Sequence, residues 1–170
     1  MNFIKKNELI KGSLILFILI NLGNLINYLY QVVMARMLGP SDYGVLSVLI
    51  SLTYIFTIPT LAIQTAVSKK IAIFNVKKEY NKMNGLFFSF LKKLFVFSII
   101  IFIIFVILSF FIVKPLNISF WLLILTGTLI ITSFIYPLAS GSLQGMKKFS
   151  ALGWNTVIIF SIKILAAIIL

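Results

Sequence analysis

The side chains in this sequence that could do chemistry are amides and cations set in apolar surroundings. Asn21, Asn24, Asn27 and Gln31 share one stretch of chain with Ser13 and Tyr28. At roughly 100° per residue, these six positions fall within about a third of a helix circumference, a single polar stripe on an apolar surface. An amide left unsatisfied in hydrocarbon costs several kcal/mol, so the stripe must face other helices or a wet cavity. Interhelical hydrogen bonding is one use, worth about 1 kcal/mol per bond. Three Asn and a Gln on one face exceed that need, which favours the lining of a polar path.

Lys163 is the second chemical feature, a cation inside the apolar run 152–170. For a helix starting at Leu152 it lies about 16 Å along the axis, near the bilayer midplane. A lysine there costs roughly 2.5–3.5 kcal/mol on insertion scales and requires a partner. No acidic residue occurs in any apolar run. The expected partner is therefore an amide such as Asn24 or Gln31, an acid outside these residues, water, or an anionic substrate. Arg36 is the one arginine among fifteen basic residues. It reads as an interfacial anchor, or as a bidentate phosphate contact that lysine would replace poorly. Its projection away from the amide stripe favours the anchor. Gln64 shares a face with Ser47, Tyr54, Thr57 and Ser68 and is a further polar-path candidate.

Other chemistries lack their parts. With no Cys there is no thiol catalysis or disulfide, and with no His the commonest general base and metal ligand is missing. The acids Glu8, Asp42 and Glu79 lie in tails or loops, so paired carboxylates for hydrolysis or metal binding cannot meet in the membrane. The chain is expected not to be an enzyme, and to use neither a metal nor a cofactor.

The elements that must position these groups are apolar segments. The chain is 61% hydrophobic, with a mean hydropathy of +1.15, far above the usual share for a soluble domain. Five segments, 12–34, 45–67, 94–113, 120–143 and 152–170, are read as transmembrane helices, about 20 residues being enough to cross about 30 Å of hydrocarbon. The expected fold is an all-α polytopic membrane protein, one transmembrane domain over 1–170. The first segment is too long for a signal-peptide core and is read as a retained span. Pro59 predicts a kink within the second span, and Pro137 with Ser140, Gly141 and Ser142 a bent, closely packed region in the fourth. The segment 37–44 reads as a tight turn, with Gly39 and Gly44 free to take positive φ. The connection 69–93 reads as the longest loop, carrying a short interfacial helix over 83–90. The last span stops with no flanking loop or charge, so the chain is expected to be the first part of a larger protein.

Charge orients these spans. Twelve of the fifteen basic residues flank alternate loops: Lys5, Lys6 and Lys11; seven lysines between 69 and 93; and Lys147 and Lys148. The opposite loops hold Arg36 and Lys114. The positive-inside rule then puts the N-terminus in the cytoplasm. The net charge of +12 is a topology signal and a contact for membrane lipids with anionic head groups. Nucleic acid is not an expected partner, since no loop is long enough to build a domain for it.

Two stretches resemble a known family. Residues 35–47, Ala-Arg-Met-Leu-Gly-Pro-Ser-Asp-Tyr-Gly-Val-Leu-Ser, resemble the opening of prokaryotic polysaccharide flippases of the multidrug/oligosaccharidyl-lipid/polysaccharide exporter superfamily. Residues 141–149, Gly-Ser-Leu-Gln-Gly-Met-Lys-Lys-Phe, resemble the connection between that family's fourth and fifth spans. The resemblance implies five helices of one six-helix lobe, within a transporter of twelve to fourteen helices in the cell membrane. A missing second lobe or a partner subunit would complete it. It also implies a polyprenyl-pyrophosphate-linked oligosaccharide as substrate, flipped for cell-surface polysaccharide synthesis. The alternatives are a multidrug or peptidoglycan-precursor exporter of the same superfamily, or a non-transporting five-helix scaffold subunit.

Overall fold

The computed structural model describes residues 3–116 and 118–169, and the described residues are all helical or in short turns. The helices are α1 (Phe3–Tyr54), α2 (Thr57–Val76), α3 (Tyr80–Leu116), α4 (Phe120–Gly145) and α5 (Phe149–Ile169). Among the described residues four stretches are long and apolar enough to cross a membrane: Ile10–Tyr54, Tyr80–Leu116, Phe120–Gly145 and Phe149–Ile169. This is an all-α, multi-pass membrane protein.

Three expectations about the elements need correction. The turn 37–44 contracts to one residue: Gly39, at φ 73° and ψ 175°, is non-helical, and helix resumes at Pro40. That backbone conformation is open essentially to glycine alone, and the following proline has its φ preset for a new helix. The second span, 45–67, is two helical pieces meeting at a turn over Ile55 and Phe56. Pro59 therefore sits in the first turn of α2, where backbone N–H groups have no intrahelical acceptor and its missing donor costs nothing. The helix breaks ahead of the proline rather than kinking through it. The predicted loop 69–93 shrinks to 77–79, and the interfacial helix 83–90 is continuous with α3. Lysine and methionine are good helix formers, so the helices continue past the apolar segments into polar surroundings.

The turn from α2 to α3 closes as a Schellman motif. The Glu79 N–H donates to the Phe74 carbonyl and the Lys78 N–H to the Asn75 carbonyl, with Lys78 at φ 56°. Glycine is the usual residue at this left-handed position, since a Cβ there costs about 1 kcal/mol or more. Stability in detergent is expected to rank Lys78→Gly above wild type and Lys78→Val below it, each step up to about 1 kcal/mol. The reverse order in thermal unfolding would refute the strain.

The described chain forms two compact units, Met1–Tyr43 with Met146–Leu170, and Gly44–Gly145. In the first, α1 and α5 touch through glycines. A Cβ on Gly12 would lie 2.9 Å from the Phe149 ring, one on Gly153 2.7 Å from Leu19, and one on Gly23 3.0 Å from Thr156. Residue numbers rise together along both helices, so α1 and α5 run parallel. The start of α5, which Lys147 and Lys148 precede, therefore lies level with Gly12 of α1, next to Lys11.

In the second unit, the backbone of α2 lies against Gly141 and Gly145 of α4, with numbers again rising together. Between α3 and α4, Phe97 meets Phe134 and Phe110 meets Phe120, so that pair is antiparallel. Phe134 is also edge-to-face with Phe56 at 5.9 Å, in a core that includes Phe105, Leu123 and Ile130. The buried residues of α3 are Ser98, Phe105 and Ser109, one narrow face whose small hydroxyls bond their own helix at the carbonyls of Phe95 and Phe105. Lipid is as apolar as these side chains, so close approach at small residues, not hydrophobicity, holds such helices together.

Both parallel pairs gather the lysine-bearing ends as the positive-inside reading requires. A single cysteine at Asn75 or Lys147 is expected to escape an impermeant maleimide on intact cells, and one at Asp42 to be labelled. Labelling at 75 but not at 42 would reverse the topology. Asn117, expected outside, lies outside the described residues.

Candidate functional site

The parallel seating of α5 on α1 sets the site. Contact residues on α1 recur at Gly12, Leu19, Gly23, Asn27 and Tyr30, close to a heptad spacing, and meet α5 one turn after another. At the last turn of this interface Lys163 points into α1. Its Nζ donates to Asn27 Oδ1 at 3.3 Å and stands 3.9 Å from the centroid of the Tyr30 ring. Tyr30 is buried and Lys163 half-buried. A cation over an aromatic face is worth up to about 2 kcal/mol when desolvated, comparable with the penalty of placing lysine in a membrane. Among the described residues no acidic side chain reaches Lys163; the ion pair present is Lys82 with Glu79. The ammonium is held by a ring and an amide with its charge uncompensated.

Beyond this cation lies a cavity of about 620 Å³, lined by Tyr30, Met34, Met37, Leu38, Lys163, Ala166 and Ala167. The wall is apolar apart from the lysine and the tyrosine. An ammonium has three donors, and one is taken by Asn27, so donors remain for an oxygen in the cavity. The methionines, unbranched and polarizable, suit an irregular apolar ligand. Counted from Phe149, where α5 begins, Lys163 is about 21 Å along the helix axis. That exceeds the roughly 16 Å expected from Leu152, because α5 starts at Phe149.

The other predicted residues separate into distinct roles. Asn27, not Asn24 or Gln31, partners Lys163, because Asn27 is the member of the stripe nearest the face turned to α5. Gln31 instead accepts a 2.9 Å hydrogen bond from the Tyr43 hydroxyl. Asn21 donates back to its own helix at the Phe17 carbonyl, and Asn24 is exposed. Arg36 is exposed, one turn before the break at Gly39. Gln64 belongs to the second unit, where it donates to Gln144 Oε1 at 3.3 Å. The stripe is thus not one lining: its edge grips the lysine, and the rest is turned away from α5. Tyr30 and Tyr43 were not anticipated. The signal for Tyr30 was present, since it continues the series Gly12, Leu19 and Gly23 that marks the face against α5.

A family model described as polysaccharide biosynthesis protein matches residues 9–170, nearly the whole chain. The chain belongs to this polysaccharide biosynthesis protein family. The match covers both helices of the site and agrees with the resemblance carried by residues 35–47 and 141–149. No curated protein and no solved structure matches the chain. For this member of the polysaccharide biosynthesis family, then, the chemistry of the site rests on Lys163, Asn27, Tyr30 and the apolar cavity beside them.

Proposed function

We propose that this chain forms part of a flippase in the cell membrane that moves a polyprenyl-pyrophosphate-linked oligosaccharide for cell-surface polysaccharide synthesis. The observation that carries the reading is the uncompensated Lys163 ammonium, held by Asn27 and Tyr30 on the wall of an apolar cavity. A substrate with an anionic phosphate joined to an apolar tail matches that contrast. The phosphate would receive charge-assisted hydrogen bonds from the ammonium, and the methionine- and alanine-lined wall would meet the prenyl carbons. Exposed amides such as Asn24 offer donors and acceptors for sugar hydroxyls. We read the role as transport, because the site sets a cation, an amide and a tyrosine beside an apolar wall that suits an amphiphilic cargo. The complete transporter would include helices beyond these.

The test is translocation. The protein as it occurs in the cell is reconstituted into vesicles with a fluorescent prenyl-pyrophosphate-linked sugar, and a membrane-impermeant quencher reads the fraction still outside. Loss of quenchable signal above that of protein-free vesicles supports flipping. Equal rates with and without protein, from a sample that still binds the lipid, would leave a non-transporting assembly subunit.

A further inference from the structure

The cavity beside Lys163 has two unlike ends. Lys163 Nζ stands at the level of Asn27 and Tyr30. The rest of the lining lies farther along each helix: Met34, Met37 and Leu38 on α1, and Ala166 and Ala167 on α5. Because α1 and α5 run parallel, the charge occupies one end of the cavity and an apolar wall continues from it. That wall leads away from the lysine-bearing ends of both helices. Met37, at its far end, is 55% exposed, so the wall is open there.

Volume and length give the cavity the same small capacity. At about 30 Å³ for each water-sized group, about 620 Å³ takes about twenty non-hydrogen atoms, the size of a diphosphate with about two isoprene units. Along α1, the wall from Tyr30 to Leu38 covers about 12 Å. An isoprene unit advances about 5 Å, four zigzag bonds of about 1.5 Å each, so about two units fill that distance. A longer prenyl chain must leave through the open end.

We propose that the cavity grips only the phosphate end of a prenyl-linked substrate: the phosphates at Lys163 and about the first two isoprene units along Met34, Met37, Leu38 and the two alanines. The remaining tail passes Met37 into lipid and carries no recognition. The choice of a prenyl phosphate rests on the flippase reading; the part gripped and its direction follow from the cavity. The ammonium, with donors to spare, fixes the phosphate, and the run of the wall fixes the tail. The tail then points away from the lysine-bearing side, as in a lipid whose head group faces that side.

The experiment is photolabelling of the protein as it occurs in the cell, reconstituted into vesicles. The probes are geranylgeranyl diphosphates carrying a diazirine on either the second or the fourth isoprene unit, with adducts mapped by peptide mass spectrometry. The second-unit probe is expected to label residues 34–38 or 166–167. The fourth unit, about 15–20 Å from the phosphate, should label them about tenfold less. Replacing the diphosphate by the alcohol should lower second-unit labelling about tenfold, the loss of a charge-assisted hydrogen bond. Lys163→Gln should do the same, and the alcohol comparison stands if that variant does not fold. Equal labelling of the cavity by both probes, or by alcohol and diphosphate, would overturn the proposal. So would a cavity that neither probe reaches, as when a further helix of the protein or a second copy fills it; continued translocation in those vesicles would then leave the flippase reading standing. The expected labelling without translocation would support the gripped segment and sink the flippase reading instead.

Discussion

Lys163→Gln is expected to lower glycan export by about tenfold or more while the protein inserts and accumulates normally. The reason is the difference between a charged and a neutral donor at one place: a hydrogen bond from an ammonium to an anion is worth about 1.5–3 kcal/mol, each 1.4 kcal/mol being tenfold. Lys163→Arg should keep part of the activity, since the charge persists while the guanidinium fits less well over the Tyr30 ring. Asn27→Asp is the discriminating partner change. It places a carboxylate where the amide now accepts from Lys163 at 3.3 Å, compensating the charge from within the protein. If the ammonium serves an anionic substrate, this variant should lose export as Lys163→Gln does, yet be at least as abundant. Export in cells that depend on this chain, normalised to protein level, reads all three. Normal export by the Gln variant would end the functional role of Lys163, and loss of the protein would show that the lysine only stabilises the α1–α5 contact.

Gly141→Val is expected to unfold the second unit, with a loss of about 3 kcal/mol or more, at or beyond the upper end of what overpacking usually costs. A Cβ at Gly141 would stand 2.6 Å from the Gln64 carbonyl oxygen and 3.2 Å from its Cα, both backbone atoms of α2 that cannot rotate aside. Gly145 repeats the geometry one turn later, with a Cβ 2.7 Å from the Ser68 carbonyl oxygen. The matched control is Gly85, on α3, where an added Cβ meets nothing within 4 Å. Gly85→Ala should stabilise by about 0.5–1 kcal/mol through helix propensity and unfolded-state entropy alone. Thermal unfolding in detergent separates these expectations, and a Gly141→Val protein as stable as wild type would refute the close α2–α4 approach.

What sequence by itself determined here follows from local or one-dimensional physics. Uncharged length gave the membrane-spanning part of α3, because its ends are marked by Lys93 and Lys114. A break within 37–44 was legible from Gly39, Pro40 and Gly44, since steric limits on φ act within one residue, although which glycine would carry it was not. That the chain holds no thiol and no imidazole required only counting.

Tertiary structure decided which polar groups meet. The stripe on α1 offered four amides, but only the phase of α1 against α5, fixed by Gly12, Gly23 and Gly153, chose Asn27 and Tyr30 for Lys163 and left Gln31 to Tyr43. A helical projection ranks residues around one axis and carries no information about where a neighbour sits. The same limit hid the role of Ser98 and Ser109, too few to make a polar face, which prove to mark the side of α3 that is buried. It also misplaced the break near Pro59, because a proline forbids a hydrogen bond inside a helix but is neutral in a first turn, and only the path of the chain through Ile55 and Phe56 made it the latter.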